Sequence, residues 1–235
     1  MNYVEKVLIP ATNKRIEGKY MNLTDFFVFV GLILFMSLYV GCNRNDFFTD
    51  ALITLLHGAP ICLSVYMSGW RFNNILKALS FTSDDAPPFK DKFWEIRRLI
   101  KEWNDHMKEV FMPSWVSCLD ESISPWTNKF TCPGFILCPC KPHNKGNEYH
   151  FICCSLSHLM FAIDLREGKK DHPKEIKPEF HKFSATVSLL LRLTKDIFGT
   201  GKVVILDSGF CVLRGLVELM KRGVYASSLI KKRKY

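Results

Sequence analysis

The stretch "KVVILDSGF" (residues 202–210) decides the fold of this chain. Four apolar residues run directly into Asp207, and a serine and a glycine follow. A short, unbroken and β-branched run is typical of a strand buried on both faces of a sheet. A carboxylate just past such a strand lies at the open edge of the sheet, where ligands and metals tend to bind. Asp207 therefore either takes part in chemistry or only caps the helix that follows.

The chain around this strand predicts a mixed sheet from about residue 114 onward. Three strand-like segments with short connections come first, and they should pair antiparallel. A helix that begins at the N-cap Ser184 and ends at Gly199 then returns the chain, so that the strand 202–206 can run parallel to the first strand. The predicted order is β-β-β-α-β-α-β, with strands in 114–123, 147–155, 159–167, 202–206 and 224–230, and helices over 184–198 and 210–222.

This order places Asp120, at the end of the first predicted strand, beside Asp207. Two carboxylates at adjacent strand ends repel each other unless they share a cation or a proton. A divalent metal resolves the repulsion, and hard oxygen ligands select Mg²⁺ or Mn²⁺. Such ions activate a water or a 3′-hydroxyl in phosphodiester chemistry. The alternative is that Asp207 caps the helix and Asp120 lies in a polar turn.

The first part of the chain predicts helices. The apolar run "FFVFVGLILFMSLYVGC" (residues 26–42) suggests a membrane span, but it is short and contains Gly31 and Gly41. We interpret it as a core helix over 24–41, buried all round, with Thr24 or Asp25 as its N-cap. Further helices are predicted over 47–57, 69–79 and 91–111.

Composition narrows the function classes. The 235 residues are 48% hydrophobic, which is enough for one substantial domain with a helical extension and excludes wholesale disorder. A net charge of +9 favours a polyanionic partner such as nucleic acid. The odd number of cysteines, nine, and the polar residues 1–20, which do not resemble a secretory signal, predict a reduced intracellular protein.

Other known constellations are absent or weak in the sequence. No phosphate loop or nucleophile elbow occurs, which argues against P-loop and serine-hydrolase chemistry. A group of cysteines and histidines lacks the CxxC spacing of zinc knuckles, so no structural zinc is expected. The group comprises Cys132, Cys138, Cys140, His143, His150, Cys153 and Cys154.

Several motifs, in this order, resemble the piggyBac transposase family. "FVGLILFMSLY" resembles the opening helix of the family, and "MSGWRFNNILKALSF" resembles the segment that follows it. "SCLDESISPW" and "CKPHNKG" resemble two central motifs, and the block from "VVILDSGF" to "IKKRK" resembles the segment around the second catalytic aspartate. Each motif alone is weak, but their joint occurrence and order are specific.

The resemblance implies an α/β fold, with an all-helical region over 1–112 and a partial RNase H-like core over 113–235. That core holds a mixed five-stranded sheet with flanking helices. Asp120 and Asp207 match the first two catalytic, metal-binding aspartates of this DDE/DDD nuclease fold, with Mg²⁺ or Mn²⁺ as cofactor. The implied function is cut-and-paste DNA transposition in the nucleus, with transposon-end DNA as partner, a homodimer as an option and no membrane. Tentative DNA-binding residues are Lys141, Lys145, Lys231, Lys232 and Arg233.

The sequence also departs from the family pattern. Asp207 is followed by Ser208 where the family has asparagine, and Glu218 is the only acidic residue after Asp207. We therefore expect a chain that is cut short before the third catalytic aspartate and is catalytically incomplete. The alternative is a domesticated or decayed relative that binds DNA or protein without cutting.

Overall fold

A computed structural model of the chain describes residues 2–39, 41–49, 59–87, 91–139, 141–167 and 179–230. The chain divides into two compact units, Met1–Ala86 and Pro87–Tyr235. Of the helix predicted over 47–57, residues 50–57 lie outside the described residues.

The first unit is helical. Its core is built from aromatic rings: the Phe72 centroid lies 4.9 Å from that of Phe29 and 5.1 Å from that of Phe48. Edge and tilted ring pairs of this kind stabilise a core beyond the area that they bury. The helices are α1 (Ile9–Asn13), α2 (Leu23–Ser37) and α3 (Gly69–Ala78), with a π-helical turn at Val4–Leu8 and 3₁₀ turns at Arg44–Phe48 and Leu63–Val65.

Two predictions for α2 were wrong. The N-cap is Asn22, whose side-chain oxygen accepts from the Asp25 amide at 2.8 Å, while the Asp25 carboxylate accepts from the Asn22 amide. The helix is also not buried all round, since Phe27 is 48% and Leu34 63% exposed. Because α2 is apolar on every side, its sequence does not show which of its faces packs against the core. Within the described residues, no helix has the length and apolarity needed to cross a membrane.

The second unit contains a mixed sheet, which confirms the predicted fold class. Strand β1 pairs antiparallel with β3 and parallel with β5. Both β2 and β4 pair antiparallel with β3, and β6 pairs parallel with β5. The strands are β1 (Val116–Pro125), β2 (Phe135–Leu137), β3 (Lys145–Cys154), β4 (Met160–Leu165), β5 (Val203–Leu206) and β6 (Tyr225–Ser228).

The sheet differs from the prediction in two details. The described residues form six strands rather than five, because the short strand β2 adds to one end of β3. Strand β1 continues to Pro125, which pairs with Gly146. Asp120 therefore lies within β1 rather than at its end, because β3 pairs with β1 well beyond the point where β5 stops.

Within the described residues, three α-helices flank this sheet: α4 (Trp94–Val110), α5 (Ala185–Thr194) and α6 (Leu213–Met220). Helix α5 covers one sheet face, where Leu190 and Leu191 join Leu119 and Leu206 in a single buried cluster. Helix α4 packs on β4. The sequence placed α4 with the helical region, but in space it lies in the second unit. The division of the family domains at 112 and 113 stays a prediction.

Helix α4 also covers the outer edge of the sheet. The Asn104 amide group donates to the Ile163 carbonyl and accepts from the Ile163 N–H, both at 2.9 Å. One side chain thereby satisfies both backbone groups of an edge strand that would otherwise invite pairing. Nearer the start of α4, Arg97 donates to Glu167 at 2.8 Å and also pairs with Asp91. Both carboxylate side chains are only 3% exposed.

Candidate functional site

The parallel pairing of β1 with β5 brings two aspartates together. The register runs from Val116 opposite Val203 to Leu119 opposite Leu206, and Asp120 and Asp207 are the next residues on their strands. Neighbouring strands lie about 5 Å apart, so the two aspartates stand side by side. Leu119 and Leu206 are buried in the core, whereas both aspartates are exposed. The carboxylates therefore occupy the sheet face opposite α5.

The backbone around Asp207 excludes one interpretation of this residue. Its Oδ2 accepts from the Gly209 amide at 3.3 Å, a contact within the turn after β5. Helix α6 begins later, with Val212 as its N-cap. Asp207 therefore does not cap the helix, and the alternative stated for it from the sequence was wrong. Asp120 is held by its own strand, since its Oδ1 accepts from the Glu121 amide at 2.8 Å.

A lysine pairs with Glu121, the residue that follows Asp120 on β1. The Lys141 Nζ is 3.0 Å from the Glu121 Oε1. The hydrogen bond to Glu121 and the nearby charges of Glu121 and Asp120 raise the pKa of Lys141. Lys145 is exposed at the start of β3, further from the pair. The predicted DNA-binding residues Lys231, Lys232 and Arg233 lie outside the described residues.

Comparison with known proteins decides the family. The family model described as Transposase IS4 matches residues 4–235. The chain belongs to this transposase family. No curated protein matches it.

The solved structure of a piggyBac transposase, determined by cryo-EM as a synaptic complex with hairpin DNA, shares the fold of this transposase chain. The TM-score is 0.77 at 16% identity, over 97% of this chain and 48% of the piggyBac chain. The transposase chain thus spans about half the length of that protein. The likeness shows the RNase H-like fold.

The transposase fold also builds a polar pocket that the sequence did not predict. The pocket has a volume of about 630 Å³ and lies on the α5 face of the sheet. Its floor is a row of residues in register on β1, β3 and β4: Glu121, His150 and Asp164. From α5, the Arg192 Nε donates to the Asp164 Oδ2 at 2.7 Å. Glu121 thus lies on the face opposite to its neighbour Asp120.

Ion pairs neutralise much of the acid in this pocket. The His150 Nε2 is 3.1 Å from the Glu148 Oε1, and Arg166 pairs with the same carboxylate. Burial opposes ionisation of Glu148, but His150 and Arg166 outweigh burial and hold its pKa below the ordinary value. The His150 Nδ1 is buried and has no hydrogen-bond partner among the described residues. The period-two pattern of β3 could have placed Glu148 and His150 on one face, but not their partners on other elements.

Two other groups that the sequence analysis named lie apart from the carboxylate pair. Glu218 pairs on its own helical surface with Arg222 at 2.6 Å and Lys221 at 3.1 Å, and these cations lower its pKa. In the cysteine and histidine group, Cys140 lies outside the described residues, and consecutive Cys153 and Cys154 project to opposite faces of β3. Among the described residues, no three or more His, Cys, Asp or Glu side chains are arranged to hold a metal ion.

Proposed function

We propose that this transposase domain acts on DNA phosphodiesters, with Asp120 and Asp207 as its catalytic carboxylates. The observation that carries the proposal is the register of β1 and β5, which puts the two aspartates next to each other on an exposed face. The family match and the fold shared with a piggyBac transposase support the same assignment. With it we propose a nuclear location and DNA as the partner.

The donor set of this pair fits a hard divalent ion. Asp120 and Asp207 offer carboxylate oxygens, which are the ligands preferred by Mg²⁺ and Mn²⁺. These two residues would hold the ion, which when bound supplies activation of the attacking oxygen and stabilisation of the leaving oxygen. Lys141, which pairs with Glu121 on the other face of the sheet, is a further basic residue that we propose to contact a DNA phosphate. Lys145 and the basic end at 231–233 would extend that contact.

We further propose that the 235-residue chain on its own binds DNA without cutting it. Two aspartates under-coordinate a pair of metal ions, which weakens the positioning of nucleophile and leaving group. Glu218, the one acidic residue after Asp207, is engaged by Arg222 and Lys221. Glu121 lines the pocket on the other face of the sheet. Neither carboxylate is placed to complete the pair.

Metal binding tests the assignment of the two aspartates. Mn²⁺ binding to the purified chain is followed by electron paramagnetic resonance, which needs no catalytic turnover. We expect Asp207→Asn to weaken Mn²⁺ binding by about tenfold or more, since half of the donor set loses its charge. Asp105→Asn is the matched control, because Asp105 is exposed on α4 and pairs only with Lys101 in the contacts described here. Equal Mn²⁺ affinity of the wild type and Asp207→Asn would overturn the assignment.

The same proteins, incubated with transposon-end DNA and Mg²⁺, report on activity. We expect a gel shift without nicks or joined products. Mg²⁺-dependent cleavage that disappears in Asp207→Ala would show that this chain carries a complete site. The absence of any DNA complex would remove the proposed DNA partner.

A further inference from the structure

The loop that joins β1 to β2 displays two aromatic side chains to solvent. Phe130 is 87% exposed and Trp126 is 44% exposed. A ring as exposed as Phe130 adds almost nothing to the core of its own unit. Its apolar surface is therefore open to a partner.

The backbone around these rings is tied down. The Trp126 amide donates to the Lys145 carbonyl at 3.1 Å, and the Trp126 indole donates to the Thr131 hydroxyl at 3.0 Å. The Asn128 side chain accepts from the Phe130 amide at 2.9 Å. At the far end of the loop Cys132 is buried. The loop backbone and the Trp126 ring are thus held before any partner binds, which reduces the entropy lost on binding.

The charge of this region indicates what kind of partner fits. Residues 122–147 contain no aspartate or glutamate, but they contain Lys129, Lys145 and Lys141, of which Lys141 pairs with Glu121. The Lys129 Nζ lies 4.9 Å from the centroid of the Phe130 ring. Aromatic rings interleaved with lysines and free of carboxylates are the composition of surfaces that bind single-stranded nucleic acid. In such surfaces the rings stack on bases and the lysines contact phosphates.

We propose that the loop over 126–131 is a stacking surface for unpaired bases of the DNA substrate, with Phe130 as the principal ring. The inference rests on the proposed function, since it deepens the DNA partner named there. Pro125 lies five residues after Asp120, which is about 17 Å along β1. The surface thus holds bases a short way along the strand from the phosphate at the carboxylate pair.

A comparison of single-stranded and duplex DNA tests the proposal. Binding of the 235-residue chain to a labelled oligothymidine of about 15 nucleotides and to a duplex of the same length is measured by fluorescence anisotropy. We expect Phe130→Ala to weaken single-strand binding by about 5- to 150-fold, with duplex binding within about twofold of wild type. Phe130→Trp should keep or strengthen single-strand binding, because it keeps the stacking face.

Leu156→Ala is the matched control, because Leu156 is 80% exposed in the turn between β3 and β4 at the other end of the sheet. It should leave both affinities unchanged, and circular dichroism should show the same melting for every variant. Unchanged single-strand binding in Phe130→Ala, or an equal loss on both DNAs, would overturn the stacking surface while leaving the proposed function intact. A wild-type chain that binds neither DNA would instead overturn the proposed function and this inference with it.

Discussion

A single carboxylate in the polar pocket shows how partners control charge at the residue scale. The Glu148 side chain is 12% exposed, and a carboxylate at that depth is costly unless it is paired. His150 and Arg166 supply the pairing, and Asp164 finds its own partner in Arg192. These partners hold the pKa of Glu148 below its ordinary value although the residue is buried.

Acid should weaken this arrangement in a defined direction. The folded-state pKa of Glu148 is depressed, so its stabilisation is complete above the unfolded value of about 4.3 and is lost as pH falls through the folded value. Glu148→Gln removes that titration. We expect its melting temperature to fall less steeply than that of the wild type below about pH 4.3. Thermal melts followed by circular dichroism from neutral to acid pH check this, and parallel curves would contradict it.

At the scale of elements, α4 is attached to the sheet by polar contacts at two points. Asn104 bonds both backbone groups of Ile163 on β4, and Arg97 joins Asp91 to Glu167 just beyond that strand. These contacts fix where the amphipathic helix lies along the sheet edge. They also block the edge of β4 from pairing with another chain.

Replacing Arg97 should lower the free energy of unfolding more than replacing a surface lysine of the same helix. Arg97→Ala leaves two buried carboxylates without their cation, and we expect a loss of about 3–5 kcal/mol in the free energy of unfolding. Lys101→Ala is the control on the same helix, since its pair with Asp105 is exposed and should change stability by less than about 1 kcal/mol. Urea denaturation measures both, and similar values for the two variants would contradict a role for Arg97 in docking α4.

The sequence predicted elements with a clear period and missed those without one. Helix α4 repeats its apolar residues at steps of three and four, and it was placed within a few residues of its true bounds. Strand β2 is only three residues long, and no pattern marks so short a segment. Helix α2 was recognised but its exposed face was not, because a run apolar on every side does not say which side meets the core.

At the scale of the whole molecule, the net charge sets the salt dependence expected of the proposed DNA binding. The formal charge is +9. Binding of such a chain releases counterions from the DNA, and because this release is less favourable at high salt, the affinity for DNA should fall as salt rises. The double variant Lys141→Ala, Lys145→Ala should reduce the slope of log affinity against log salt by about 1 per lost phosphate contact. Lys195→Ala is the control, because Lys195 lies just after α5 and is not among the proposed DNA-contacting residues. Equal slopes for the wild type and the double variant would show that these lysines do not contact phosphate.

The carboxylate pair could be predicted from the sequence, whereas the polar pocket could not. Asp207 follows an apolar run whose place in a parallel pair with the first strand is set by chain order, so Asp120 became its neighbour by topology alone. The pocket needs Arg192 from α5 to reach Asp164 on β4, and that contact depends on how the helix packs. Side-chain partners between elements distant in sequence leave no periodic signal.

The parallel pairing of β1 with β5 also decides when the site can exist during folding. Strands β3 and β4 are joined by a short turn and can pair early, but residue 116 must find residue 203 across most of the unit. Closing so long a loop carries a large entropic cost, and such non-local contacts form slowly. Asp207 therefore reaches Asp120 only when the second unit completes its topology. A half-folded chain has the same net charge as the folded one, but its two aspartates are not yet adjacent.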